Sequence, residues 1–137
     1  MYRPITTCDA AHGWLAALKG PVTRADGGVV WDPAWFDFLQ GDCPDTANPS
    51  LWRHAQLNAK HGLFEVTEGV WQARGCDYAN MTIIRGDTGW ILVDPLMTTE
   101  SSAAALALVN DTLGQRPVSA VLVTHTHPDH FAGLRGV

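Results

Sequence analysis

No run of lysine or arginine occurs in the sequence: nine basic residues are scattered among 14 acidic ones, for a net charge of -5. A phosphate backbone is gripped by a basic patch, so nucleic acid is not expected as a partner, nor is an anionic membrane surface. An anionic small molecule would have to be held by a few local cations or a metal rather than by the overall field. No segment approaches the ~20 apolar residues of a membrane span. The first twenty residues lack a basic lead, and the apolar stretch at residues 13–18 is too short for a signal peptide. The chain as written is therefore expected in the cytoplasm. CxxC pairs are also missing. Cys8, Cys43 and Cys76 are far apart and odd in number, which argues against a zinc ribbon or a disulfide framework. Three unreactive thiols are expected. Internal repeats and low-complexity tracts are absent.

What is present fits a folded chain. The length of 137 residues suits one domain, and 46% hydrophobic with 17% charged residues is ordinary for a globular protein. Six tryptophans are many for this length. They point to a substantial core or an apolar binding surface.

Residues 1–30 read as an irregular lead with a turn at Gly27-Gly28. Residues 32–39 predict a short helix, with Asp32 as N-cap, Pro33 at the first helical position and Gly41 as terminator. A second helix starts at Asn48-Pro49-Ser50 and ends before Gly62, with Leu51, His54, Ala55 and Asn58 on one face. Strands follow. Residues 63–67 and 70–74 flank Glu68-Gly69, a hairpin signal, and residues 81–85 and 90–94 flank a second turn, Gly86-Asp87-Thr88-Gly89. Thr98 or Thr99 caps a helix that runs to about Leu113 and ends at Gly114. Residues 118–124 read as an apolar, β-branched strand of the buried kind. Hairpins, a crossover helix and a further strand make an α/β layered arrangement. The division expected is an arm of short helices at 1–62 and a sheet-forming domain at 63–137.

The chemistry sits at the end of the last strand, in His125-Thr126-His127-Pro128-Asp129-His130. Side chains two apart in an extended stretch point the same way, so His125 and His127 project together. Pro128 breaks the strand and can open a helix, turning Asp129 and His130 back toward the same space. Imidazoles and a carboxylate suit zinc and related metals. Four such groups in six residues can serve two adjacent ions, which polarise a substrate oxygen and share a hydroxide.

This HxHxDH pattern after a strand resembles the signature of the metallo-β-lactamase superfamily, whose fold is an αββα sandwich. Further residues resemble the alkyl sulfatases within it. These are Phe38-Leu39-Gln40-Gly41-Asp42, Pro44-Asp45-Thr46, Asn48-Pro49-Ser50-Leu51-Trp52-Arg53, Gln56-Leu57-Asn58 and Gly62-Leu63-Phe64-Glu65-Val66. Asn80-Met81-Thr82, the Gly86–Ile91 segment and Val93-Asp94-Pro95-Leu96 add to them, so the similarity runs from about Trp35 to the end. The resemblance implies the N-terminal half of that sandwich, preceded by a short helical arm, as part of a longer protein. It implies His125, His127, Asp129 and His130 as metal ligands, two per zinc, with Asp129 in the catalytic step. The two-zinc site would be completed by acidic residues and a histidine absent from this chain. The implied substrate is a small-molecule alkyl sulfate, cleaved to alcohol and sulfate, and the implied full-length protein is a homodimer. Another hydrolase of the fold, a thioesterase or lactonase, is the alternative, as is an inactive fragment.

Asp94 closes a strand before Pro95; the resemblance implies that it supports the metal loop through hydrogen bonds, and a strand-end turn residue is the equal alternative. Asn80 is a candidate sulfate contact, though asparagine before a strand is commonly a turn former. Arg74 and Arg85 read as solvated strand arginines, and His54 and His61 as surface or helix-end residues. Trp31, Trp35 and Trp52 read as packing the arm onto the body rather than lining an alkyl channel.

Overall fold

The computed structural model describes residues 6–137. A six-stranded mixed sheet runs in the order β1-β4-β5-β6-β7-β8. Its strands are β1 (Trp14–Ala16), β4 (Gly62–Thr67), β5 (Val70–Arg74), β6 (Met81–Arg85), β7 (Trp90–Val93) and β8 (Val118–Leu122). Neighbours are antiparallel except β7 and β8, which are parallel and joined through helix α3 (Thr99–Leu113). A parallel pair needs such a crossover, and helical packing covers one face of the sheet. Strands β2 (Val22–Thr23) and β3 (Val29–Trp31) form a separate ribbon.

The predicted strands and caps of residues 32–114 appear where their chemistry placed them. Asp32 accepts from the Ala34 N–H and opens a 3-10 helix, Pro33–Gln40. Asn48 caps α2 (Pro49–Asn58), and Thr98 caps α3, which Gly114 ends. The β4–β5 turn depends on Gly69, whose φ of 77° is the left-handed conformation that glycine reaches without strain.

The core lies between α3 and one sheet face. Leu63, Trp71, Ala73, Met81, Ile83, Trp90 and Leu92 alternate inward and pack with Ala105 and Val109 of the helix. Trp71 and Trp90 meet edge to face with centroids 5.8 Å apart. Each large side chain buried this way contributes about 1.5–3 kcal/mol. The opposite face carries Ile84, Ile91 and Val93, which are only half-buried. Strands apolar on both faces are built to be covered on both. Among the described residues, the six-stranded sheet has its helical layer, α3, on the core face.

Three expectations change. Residues 7–31 are not an irregular lead: α1 (Thr7–Ala10), β1 and the β2–β3 ribbon lie there, and β1 extends the main sheet with Trp14 opposite Phe64. β8 is not a buried strand. It sits at the sheet edge with one neighbour and ends at Leu122, which is 54% exposed. On α2, Leu51, His54 and Asn58 face solvent. Polar anchors from the adjacent face fix the helix instead: Gln56 Nε2 donates to the carbonyls of Leu39 and Gly41, and Trp52 Nε1 to Gly41.

Trp31 ties the arm down as expected. It is buried, its Nε1 donates to the Gly75 carbonyl at 2.9 Å, and Trp35, Phe36 and Tyr78 ring it. All three cysteines are free. Burial, with Asp77 beside it, pushes the Cys76 thiol up to about 12, so it stays protonated and inert; Cys8 is exposed.

Candidate metal centre

β8 ends at Leu122, and the chain continues through Thr124 into the histidine motif. Pro128 opens a short 3-10 helix, Pro128–His130. The turn brings the three imidazoles together, as the extended-then-helical pattern predicts. The His125 ring centroid lies 4.7 Å from that of His127 and 4.0 Å from that of His130. Asp129 Oδ2 is 3.3 Å from His130 Nε2.

Asp94 is the hub beneath them. It follows β7, and the parallel register that sets Val93 against Leu122 brings it level with Thr124. It is 8% exposed. Its Oδ1 accepts from the Thr124 N–H at 2.8 Å, and its Oδ2 accepts from the Thr124 hydroxyl at 2.7 Å and from His130 Nδ1 at 2.8 Å. Burial raises the carboxyl, but the bonds from Thr124 and His130, and the charge of His130, outweigh it. Asp94 is held below the usual carboxylate range.

An ionised Asp94 fixes the protons around it. The Thr124 hydroxyl must donate to the carboxylate, so its oxygen accepts from His125 Nδ1, 2.9 Å away. His125 Nε2 and His127 Nδ1 lie 2.9 Å apart and are hydrogen-bonded to each other. His130 donates from Nδ1 to Asp94, and its Nε2 faces Asp129 Oδ2 at 3.3 Å. One carboxylate thus orients His130 directly and His125 through the Thr124 hydroxyl.

The donor set has the chemistry of a zinc or similar site. Its arrangement is partial. A tetrahedral ion with bonds of about 2.0–2.1 Å holds neighbouring ligand nitrogens about 3.3 Å apart, whereas His125 and His127 are bonded to each other. Among the described residues, no group of three or more histidine, cysteine, aspartate or glutamate side chains is disposed to hold an ion.

The other candidates stand elsewhere. Asn80 is exposed and outside the histidine cluster. It precedes β6, and the register of Thr82 with Val93 puts it at the sheet end from which Asp94 emerges. There it lines a cavity of about 730 Å³ with Arg74, Asp77, Tyr78, Trp31 and Phe36. Arg74 lies over the Phe64 ring and bonds Gln72, and Arg85 lies over Trp71. His54 is exposed, and His61 sits beyond α2. Sequence reasoning missed Thr124 as a hub. The signal was there, in a threonine between an apolar strand and the first histidine, but its partner lies 30 residues away.

Residues 74–137 match the metallo-beta-lactamase superfamily. The chain is 47% identical over 131 residues to the alkyl/aryl-sulfatase of Saccharomyces cerevisiae, an alignment covering 94% of this chain and 20% of that protein. It is 48% identical over 129 residues to the (R)-specific secondary-alkylsulfatase of a Pseudomonas species, covering 93% of this chain and 20% of the relative. The solved structure of a stereoselective inverting sec-alkylsulfatase from Pseudomonas superposes with a TM-score of 0.89 at 49% identity, over 93% of this chain and 20% of that one. The chain is a homologue of the alkylsulfatases. It spans about a fifth of the length of the relatives it matches. The α/β arrangement of this alkylsulfatase homologue is that of a metallo-β-lactamase fold fragment. Among the described residues, no helix is long and apolar enough to cross a membrane.

Proposed function

We propose that these residues form the N-terminal part of a zinc-dependent enzyme that hydrolyses alkyl sulfate esters to alcohol and sulfate. The observation that carries this reading is the identity of 46–48% to three sulfatases across nearly the whole chain. His125, His127, Asp129 and His130 would hold two zinc ions, two ligands to each, with further ligands from residues outside this chain. When bound, the ions would supply a polarising charge at the sulfate and a water made nucleophilic near neutral pH. The chain's own part is to present the lone pairs. Asp94 holds His130 by its Nδ1, leaving Nε2 turned away from the carboxylate, and Pro128 turns Asp129 and His130 inward. Asn80, at the same end of the sheet, is a candidate contact for the sulfate.

The test is a chimera in which residues 1–137 replace the matching fifth of the Pseudomonas (R)-specific secondary-alkylsulfatase. The chimera is expected to release sulfate from secondary alkyl sulfates, to lose that activity on chelation and to regain it with zinc. His127→Ala should lower the rate at least about a hundredfold. Activity that survives chelation, or a variant as fast as its parent, would sink the reading.

A further inference from the structure

Asp77 lies outside the histidine motif, in the β5–β6 connection, and is 5% exposed. Both carboxylate oxygens are engaged. Oδ1 accepts from the Tyr78 N–H at 2.7 Å, and Oδ2 accepts from the N–H groups of Met97 and Thr98 at 3.3 Å each. Those two amides end the turn that leaves β7 and enters α3.

That turn is strained. Asp94 and Leu96 both take left-handed backbone, with φ of 58° and 63°. Leucine rarely adopts this conformation, and such residues persist only where their surroundings over-determine them. Two anchors come from the segments beside the motif. The Asp94 N–H donates to the Leu122 carbonyl, and the Gly133 N–H donates to the Leu96 carbonyl, both at 2.9 Å. The Gly133 contact is so close that a Cβ there would meet the Pro95 carbonyl oxygen at 2.3 Å. Asp77 adds a third anchor from an independent loop, gripping the residues directly after Leu96.

We infer that Asp77 is a positioning residue for the histidine site: by holding Met97 and Thr98 it keeps the Asp94–Leu96 turn in its left-handed form, and so keeps the Asp94 carboxylate on Thr124 and His130. A buried carboxylate that only capped the start of α3 would leave those distant bonds untouched when removed. One that clamps the turn transmits its loss to them. Its importance for hydrolysis rests on the proposed function, but the geometry does not, so the two fail separately.

The test compares the 137-residue chain with Asp77→Ala and Asp77→Asn by amide hydrogen exchange and by nitrogen NMR of the imidazole rings. In the parent, His130 shows a protonated Nδ1, and the Thr124 amide is protected. In Asp77→Ala, exchange at Met97, Thr98 and Thr124 rises at least about tenfold, and the His130 Nδ1–H signal is lost, while β4–β5 amides keep their parental rates. Asp77→Asn, which keeps one carbonyl acceptor, falls between parent and alanine on both readouts. Parental values at Thr124 and His130 in the folded variants would overturn the inference, even if Met97 and Thr98 exchange faster. If the alanine variant does not fold, the asparagine variant decides by the same two signals.

Discussion

Asp94→Ala is expected to destabilise the chain by about 3 kcal/mol, because three donors lose one acceptor at a stroke. The Thr124 amide, the Thr124 hydroxyl and His130 Nδ1 all converge on this carboxylate. Its near-complete burial leaves little water to replace it. Alanine would also have to hold a φ of 58°, which aspartate and asparagine tolerate better. Asp94→Asn keeps one carbonyl oxygen and the backbone tolerance, and should cost about half as much. For a chain of this size the alanine variant should melt about 10 °C lower. Thermal unfolding of the three proteins checks this, with imidazole nitrogen signals showing whether His130 keeps its proton on Nδ1. Equal melting temperatures for parent and alanine variant would mean that Asp94 is only a strand-end turn residue.

Trp90→Ala should be costlier still, at about 3–5 kcal/mol. Trp90 is fully buried at the centre of the face that α3 covers. It packs edge to face on Trp71, lies under the Arg116 guanidinium at 5.2 Å, and donates from Nε1 to Asn110 Oδ1 at 2.8 Å. Truncation opens a cavity between sheet and helix and removes that tie to α3. A loss of this size is a large share of the 5–15 kcal/mol that holds a typical domain together. Trp90→Phe separates the two causes: it keeps most of the packing and should cost about 1–2 kcal/mol, mainly for the indole N–H bond. Urea midpoints of the two variants check this, and they nearly coincide if the hydrogen bond outweighs the packing.

Legibility in the sequence followed the range of the interactions involved. Asp32, Asn48 and Thr98 cap their own helices, and Glu68-Gly69 folds its own hairpin, so residues within a few positions of one another decide those elements. β1 was invisible for the opposite reason. Trp14 and Ala16 are a strand only because Phe64 and Leu63 lie beside them, nearly fifty residues later. An apolar run such as 118–122 announces a strand but not its neighbours, and here β8 has one. On α2 the apolar spacing pointed to the Leu51 face, yet Gln56 and Trp52 set the docking through their polar ends. At the site, the clustering of His125, His127 and His130 follows from an extended stretch broken by proline. The Asp94–Thr124 pairing does not follow from local spacing, because it depends on two strands lying parallel.

The most direct test of the account is the zinc content of the sulfatase chimera after exhaustive dialysis, measured beside its His127→Ala variant. The account predicts about two zinc ions per chain in the chimera and a clear loss in the variant. A chimera that holds no zinc, or a variant that keeps as much as its parent, would contradict it.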